Sequence, residues 1–417
     1  MAGELRFGTG TAPTSGASGY VIEFADSADK KIKTLDSAGV TSTLNNDGPR
    51  DENILINGGL SIQQRVAAAA TAIPSVSTTT RAGQVADRWA VTTGNATTTS
   101  WTQVDTGAAA ETGLLAKHYG RITQATNAAK FIFSQFLTNY QMNHLRGQKV
   151  RLSVKLKQIV GSNANYRLGL LQLTASGTID VCPAFISAIG AASVEPTWGT
   201  NLAAITPDAT PTPENGTISG VALTIASTAA WVRSSCVFSV PTDCKNLCFV
   251  LYRDTLGAAS DSVGIAELQM TQGPDIVDWV SPQFDLELIK CQRFFSKSFP
   301  LTVVPAASLS EATAGSGATG LLGKSGSGTV LGSQITIQFP VQMWKTPTVT
   351  LFTPTAAGSS VFRLSGTTPA VQGTTAQRTS SLTDRGVVIT ATNEATTNGA
   401  VGDLVGVHYT ADAEFVA

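Results

Sequence analysis

Apolar and polar residues alternate with a period of two along much of this chain. In Lys149–Ile159, Val150, Leu152, Val154 and Leu156 alternate with Arg151, Ser153, Lys155 and Lys157, the signature of a strand with one buried and one wet face. In Trp231–Val240, Val232, Cys236, Phe238 and Val240 share one parity, and Arg233, Ser235 and Ser239 the other. Leu247–Tyr252 is apolar on both parities, which predicts a strand buried on both faces. Similar runs recur at 88–92, 131–137, 166–173, 218–225, 263–270, 335–341, 348–352, 386–392 and 404–409. Turn material such as Gly94-Asn95 and Gly161-Ser162-Asn163 separates them. One short helix is predicted over 285–296, capped by Asp285, with Leu288, Ile289, Gln292 and Phe295 on a shared face; a strand is the alternative there. Many short strands with few helical patterns imply an all-β protein of tandem β-sandwich or jelly-roll domains.

Three blocks follow from the same pattern. Residues 1–52 are rich in Gly, Ser and Asp and hold only two strand-like pieces, 20–24 and 31–35. They read as a short extended N-terminal segment with too little apolar surface to fold alone. Residues 53–285 hold most of the strong strands, and 286–417 form a second sandwich containing a Gly/Ser/Ala stretch at 312–328. A long segment, 175–215, carries Pro196, Pro207, Pro211 and Pro213 and reads as an extended surface excursion.

Composition narrows the partners. The 417 residues contain 28 Lys plus Arg against 29 Asp plus Glu, a formal charge of −1. Such a chain has no electrostatic footprint for nucleic acid or an anionic membrane. No apolar run approaches the roughly 18 residues of a membrane helix, and the start, with Glu4 and Arg6, lacks the apolar stretch of a secretory leader. Charged residues are 14% of the chain, against about 25% in ordinary soluble domains, which suits all-β structure partly buried in an assembly. Five cysteines, an odd number, argue against a disulfide framework. Cys244 and Cys248 lack a second Cys pair or a nearby His for zinc, so the thiols read as reduced fillers of core faces.

Candidate chemistry is sparse. Ala318 to Ser325, with Gly323 and Lys324, loosely fits a phosphate loop, but a strand follows where the mechanism needs a helix N-terminus; the stretch reads as a flexible loop. The pairs Asp275/Asp278, Asp285/Glu287 and Asp254/Asp261 have the chemistry for glycosidic acid–base work, yet each lies among turn or strand-edge residues, where acids face water or cap turns. The basic row Arg151, Lys155 and Lys157 suits an anionic glycan or, more simply, a solvated face that discourages edge pairing. Trp89, Trp231 and Trp344 sit in strand patterns and read as core or junction residues. Trp198, in Glu195-Pro-Thr-Trp198, lies within the polar excursion. Its flat apolar ring suits stacking on a sugar, local packing being the alternative. No catalytic residue, metal site or cofactor is expected.

Four pieces in order carry a resemblance: Asn53-Ile-Leu-Ile-Asn57-Gly58 running on to Gln63-Gln64-Arg65; Asp87-Arg88-Trp89; Ile265-Ala-Glu267-Leu-Gln269 with Trp279; and Glu287-Leu-Ile-Lys-Cys291-Gln292-Arg293-Phe294-Phe295. Together they resemble the tail-fibre-like structural proteins of tailed bacteriophages, whose central module is similar to a carbohydrate-binding β-sandwich. The resemblance spans roughly residues 53–295. Independently of it, Asn57-Gly58 suits a tight hairpin turn, Gln63, Gln64 and Arg65 suit holding loop carbonyls, and Asp87 and Arg88 are placed to pair beside Trp89. Residues 1–52 also look like the segment by which such fibres attach to the particle, with Leu5, Phe7, Tyr20, Ile22 and Phe24 as its apolar contact positions.

The resemblance implies a non-enzymatic virion protein, assembled in the bacterial cytoplasm and working as a homotrimer. Its partners are other virion proteins, through residues 1–52, and a host surface polysaccharide, bound by sandwich loops; Trp198, read above from its place in the excursion, is the candidate contact. No nucleic acid and no membrane insertion are implied. The alternatives are a head, collar or baseplate fibre without a receptor role, and a polysaccharide-degrading tailspike, which would call for β-helix repeats and clustered acids.

Overall fold

Strands dominate the computed structural model, as the alternation predicts, and the described residues hold two short α-helices, Asn139–Met142 and Phe284–Gln292. The structure describes residues 53–66, 83–93, 99–107, 111–124, 130–161, 164–174, 176–181, 185–189, 195–208, 230–254, 257–306, 333–352, 377–391 and 404–414, with short strands between these and within 1–43. The chain divides into two units, Met1–Glu52 and Asn53–Ala417.

In the first unit the two strand-like pieces form the middle of a four-stranded sheet. Ile22–Asp26 pairs antiparallel with Ile32–Leu35, Thr9–Gly10 runs parallel to the former, and Thr41–Thr43 pairs with the latter. The short outer strands carry little apolar periodicity, which is why the sequence pattern does not reveal them.

The second unit is built on a sandwich of two antiparallel sheets. The first sheet orders Thr217–Ser219, Ala222–Ile225, Ala164–Leu173, Asn246–Arg253, Phe131–Leu137, Trp89–Thr93 and Gln84–Ala86. The second orders Thr212–Pro213, Val232–Ser239, Lys149–Val160, Ser262–Gln272, His118–Gln124, Thr99–Asp105 and Thr71–Ala72. Val150, Leu152, Val154 and Leu156 face inward with Cys236 and Phe238 against Leu168, Leu170, Phe249 and Leu251. Trp89 stacks on Phe133 at 4.7 Å, with Trp101 on the other side at 5.6 Å. Gly120 lies under Trp101, where any Cβ would overlap the indole. The Cys236, Cys244, Cys248 and Cys291 thiols are reduced and buried.

The outer face of the first sheet is apolar as well. Cys248, Val250 and Tyr252 alternate with the inward residues of the same strand and meet Ile132, Phe136, Leu171 and Leu173. The excursion covers them. Phe185 and Ile186 are fully buried on this face, and Leu202–Ala204 pairs with Leu171–Leu173. The described parts of the expected surface excursion are therefore packed: Phe185 and Ile186 cover the apolar outer face, while Leu202–Ala204 adds a strand to the sheet itself.

After the helix, Phe295–Lys297, Thr348–Phe352, Phe362–Ser365 and Ala318–Leu321 pair with Leu404–Asp412. A three-stranded sheet, Ser333–Gln338, Gly386–Ala391 and Gln377–Ser380, faces them. Ile337 and Val387 from one sheet meet Leu351, Tyr409 and Ala411 from the other. Ala318–Leu321, read as flexible loop, is thus a strand; Gly323, Lys324 and Ser325 lie outside the described residues. The helix begins one residue earlier than predicted, with Gln283 at its cap position and Asp285 inside the first turn, and it ends at Gln292. Phe295 then belongs to a strand rather than to the helix face.

Candidate functional site

Trp198 lies in a short ladder, Ile186–Ala188 with Thr197–Trp198, at the edge of the layer that covers the first sheet. Its ring is half-buried, with centroids 5.9 Å from Phe185 and 6.0 Å from Tyr252. Its indole N–H donates to Glu195 Oε1 at 3.1 Å. Directly below, Arg167 stands opposite Tyr252 in register and donates to Asp254 Oδ2 at 3.1 Å. Burial pushes the Tyr252 phenol up, and the nearby Glu195 carboxylate adds to it. Burial lowers the Arg167 guanidinium, but its hydrogen bond to Asp254, with Tyr252 and Glu195 close by, raises it overall.

This corner presents an aromatic face, an exposed carboxylate and a guanidinium over the interior strands of the first sheet, a combination suited to a polyhydroxylated ligand. Three of its members were not singled out from the sequence. Glu195 lies three residues before Trp198, and Arg167 and Tyr252 occupy outward parities of their strands, but pairing them requires knowing which strands are neighbours.

The basic row has a different role. On the outer face of the second sheet, Lys155 Nζ bonds Glu267 at 2.9 Å and the Gly113 carbonyl at 2.8 Å. Lys157 bonds Glu111 at 2.7 Å, and Arg151 donates to the Pro274 carbonyl at 2.7 Å. Arg233 on the neighbouring strand bonds the Val277 carbonyl and Asp278. Glu267 also accepts from the Leu115 and Ala116 amides. It sits at an extra residue in its strand, with φ 49°. The row therefore pins two loops, around 111–116 and 274–278, across the sheet. Its charges are spent on protein partners, not displayed to an anion.

Most members of the carboxylate pairs are likewise engaged, exposed Asp285 being the exception among the described residues. Asp261 bonds Arg253 at 2.6 Å and caps the Ala258 amide, and Asp254 serves Arg167. A cavity of about 10 Å³ lies beside them, lined by Gln124, Lys130, Arg253 and Asp261, room for about one water. Among the described residues no group of three His, Cys, Asp or Glu is arranged to hold a metal ion, and no helix is long and apolar enough to cross a membrane. Leu5, Phe7 and Tyr20 lie outside the described residues. Ile22 and Phe24 lie in a strand whose side chains are likewise outside them.

The motif residues converge elsewhere, on a buried junction between the sandwich and the C-terminal sheets. Asn57 makes no hairpin. It holds φ 57° in a turn, accepts from the Ile62 amide at 3.1 Å and donates to the Ile62 and Asp87 carbonyls. Its own amide donates to Glu287 of the helix. Gly58 is pressed against the Leu268 carbonyl, leaving no room for a Cβ. Asp87 and Arg88 form a two-residue turn between Gln84–Ala86 and Trp89–Thr93, with Arg88 at φ 72°. They do not pair with each other. Asp87 accepts from the Gln64 amide at 3.0 Å; Arg88 pairs with Glu414 and lies 3.5 Å over the Phe294 ring. Arg65 pairs with Asp412 and covers Phe295 at 3.8 Å. Trp344 packs on Phe294 at 5.7 Å and donates to the Ala413 carbonyl.

Burial raises Asp87 to about 6 against the pull of Arg65 and Gln64. Burial likewise lowers Lys297, which bonds the Gln64, Leu301 and Val303 carbonyls, to about 8. Burial opposes ionisation of Asp412 too, but Arg65 outweighs it and holds the group below its ordinary value.

No family model and no curated protein matches the chain. Among solved structures, a putative sugar binding protein from Bacteroides thetaiotaomicron aligns at 11% identity and a TM-score of 0.31, covering 53% of this chain and all of that one. The CBM22-1 and GH10 modules of Clostridium thermocellum endo-1,4-β-D-xylanase 10B, solved with xylohexaose, align at 10% and 0.29, covering 53% of this chain and 29% of that one. The enzymatically active domain of bacteriophage CBA120 tailspike protein 4 aligns at 9% and 0.27, covering 45% and 19%. The chain thus spans under a third of the length of the last two. Scores this low establish no common fold, and the all-β assignment rests on the chain's own sheets.

Two outcomes follow from the junction. Arg88→Met should cost about 3–5 kcal/mol by removing the closer of the two guanidinium partners of buried Glu414, Arg65 at 3.8 Å being the other, whereas Arg88→Met with Glu414→Leu should recover most of that loss; urea denaturation of both variants checks it. Because Asp87 titrates higher in the folded chain than its ordinary 3.8, its stabilising contribution is full below that value and lost as pH rises through about 6. The stability difference between wild type and Asp87→Asn should therefore fall across that window and level off above it, as read by denaturation at stepped pH.

Proposed function

We propose that the protein is a non-enzymatic structural subunit of a tailed-phage virion. In this reading it works as a homotrimeric fibre, docks to other virion proteins through residues 1–52, and presents the sandwich to a host surface polysaccharide. The four ordered motifs support the class. The observation that carries the binding role is the corner of Trp198, Glu195 and Arg167, where a half-buried indole is braced from behind by Phe185 and Tyr252. A ring held in this way loses little freedom when a sugar stacks on it. Binding rather than catalysis is supported by the carboxylates singled out in the sequence. Asp254, Asp261 and Glu287 each bond an arginine or a backbone amide, which commits them as structural acceptors.

Trp198→Ala should abolish most adsorption to host cells and also lower the melting temperature, since the ring packs on two aromatic neighbours. Glu195→Gln, at an exposed position, should weaken adsorption with the melting temperature unchanged. Normal adsorption by both variants would remove the corner from the binding role. A chain beginning at Asn53 should melt near the full-length protein yet fail to enter particles, as judged by the protein content of purified virions; normal incorporation would count against the docking role.

A further inference from the structure

Ten large hydrophobic side chains are exposed among the described residues, and five of them, Ile276, Val280, Phe284, Leu286 and Ile289, lie in one stretch of fourteen positions. Val280 is 68% exposed and Leu286 56%. The stretch ends in the Phe284–Gln292 helix, whose other face is already spent. Glu287 and Cys291 are buried, and Leu288 packs with Ile56, Ile62 and Phe294. Leu286 and Ile289 stand on the side of the helix away from buried Glu287 and Cys291; a helix apolar on two faces is covered on both when its partner is present, and exposed apolar side chains grouped on one face mark an interaction site.

The charges around this face are segregated. Asp285, Ile289 and Arg293 are spaced four apart and so share one stripe, with Leu286 beside it. Asp285 and Arg293 are both exposed, and neither side chain has a partner among the described residues. Lys290 lies at the same end but is only partly exposed and pairs with Glu287 at 3.8 Å, so Arg293 carries the basic end. The acid lies in the first turn and the bases in the last, about 12 Å apart along the axis. Each end complements the opposite end of an identical helix, and the helix dipoles favour the same arrangement.

We propose that copies of this chain associate through the 276–293 face, the acidic end of one helix meeting the basic end of its neighbour. The inference rests on the homo-oligomeric part of the reading above and names its interface. A closed ring satisfies it head to tail. Helices set side by side in parallel about an axis do not, because they bring Asp285 beside Asp285. The apolar residues supply the contact area and the charges set its direction.

The test is light scattering and sedimentation of the full-length protein at micromolar concentration. Wild type should be a trimer, and Leu286→Glu with Ile289→Glu should dissociate it while circular dichroism stays native. Asp285→Arg and Arg293→Asp should each weaken association about fivefold or more, and the two together should restore it. This charge-swap set leaves the apolar face intact and decides the matter if the double glutamate variant fails to fold. A monomeric wild type would overturn both the inference and the homo-oligomeric reading. A trimer that survives the glutamate substitutions would overturn the interface alone. Failure of the double swap to restore association would overturn the acid-to-base orientation.

Discussion

A strand that is apolar on both parities cannot stand at a surface, and the Asn246–Arg253 strand imposes that condition on the rest of the molecule. Phe249 and Leu251 fill the sandwich core, while Cys248, Val250 and Tyr252 need a second cover. Part of that cover is the excursion with Phe185 and Ile186. Trp344 from the C-terminal sheets packs against the same cluster. Both attached layers thus exist because one sheet is hydrophobic on both sides, and the free energy of covering it, about 25 cal/mol per Å² of apolar surface, favours their docking.

Covering that face buries charge, and the junction shows how this is made tolerable. Arg88 is fully buried on the outer side of the first sheet, which is acceptable only with a partner and hydrogen bonds. It has Glu414, the Phe136 carbonyl and the face of Phe294. Its left-handed backbone, unfavourable for a side chain of this size, is held by the same contacts. Asp87, on the other side of the turn, is less well compensated, and its raised pKa records that imbalance. The C-terminal strand is therefore attached by ion pairs that require both bodies to be folded.

Charge is scarce in this chain, and its placement is economical. On the open face of the second sheet, Lys155, Lys157, Arg151 and Arg233 act as lateral clamps on loops that have few strand pairings of their own. The Trp198 corner uses the same device, since Arg167 is fixed by Asp254 below and Tyr252 beside it. A site braced by sheet residues holds its geometry better than one on an unsupported loop, and this rigidity is what connects the packing of the cover to the proposed recognition of a sugar.

Alternation is a property of residues two apart, so the sequence by itself determined the long strands of the sandwich, their inward parity and the double burial of 247–252, but not the short strands such as Thr41–Thr43 and Ala318–Leu321. Phe131–Leu137 and Thr348–Phe352 fall where the pattern puts them, and Cys236 faces the core as its parity requires. The same local signal could place Trp198 on a loop but not beneath which sheet that loop would settle, nor that Arg167 would stand beside it. It marked Asn57, Gln64, Asp87 and Arg88 as unusual without their partners. Arg88 meets Glu414 across 326 positions, and Asn57 meets Glu287 across 230. Such pairings depend on which faces remain apolar after the sheets form. Only the assembled tertiary structure decides them, because burial changes the worth of a charge far more than its neighbours in sequence do.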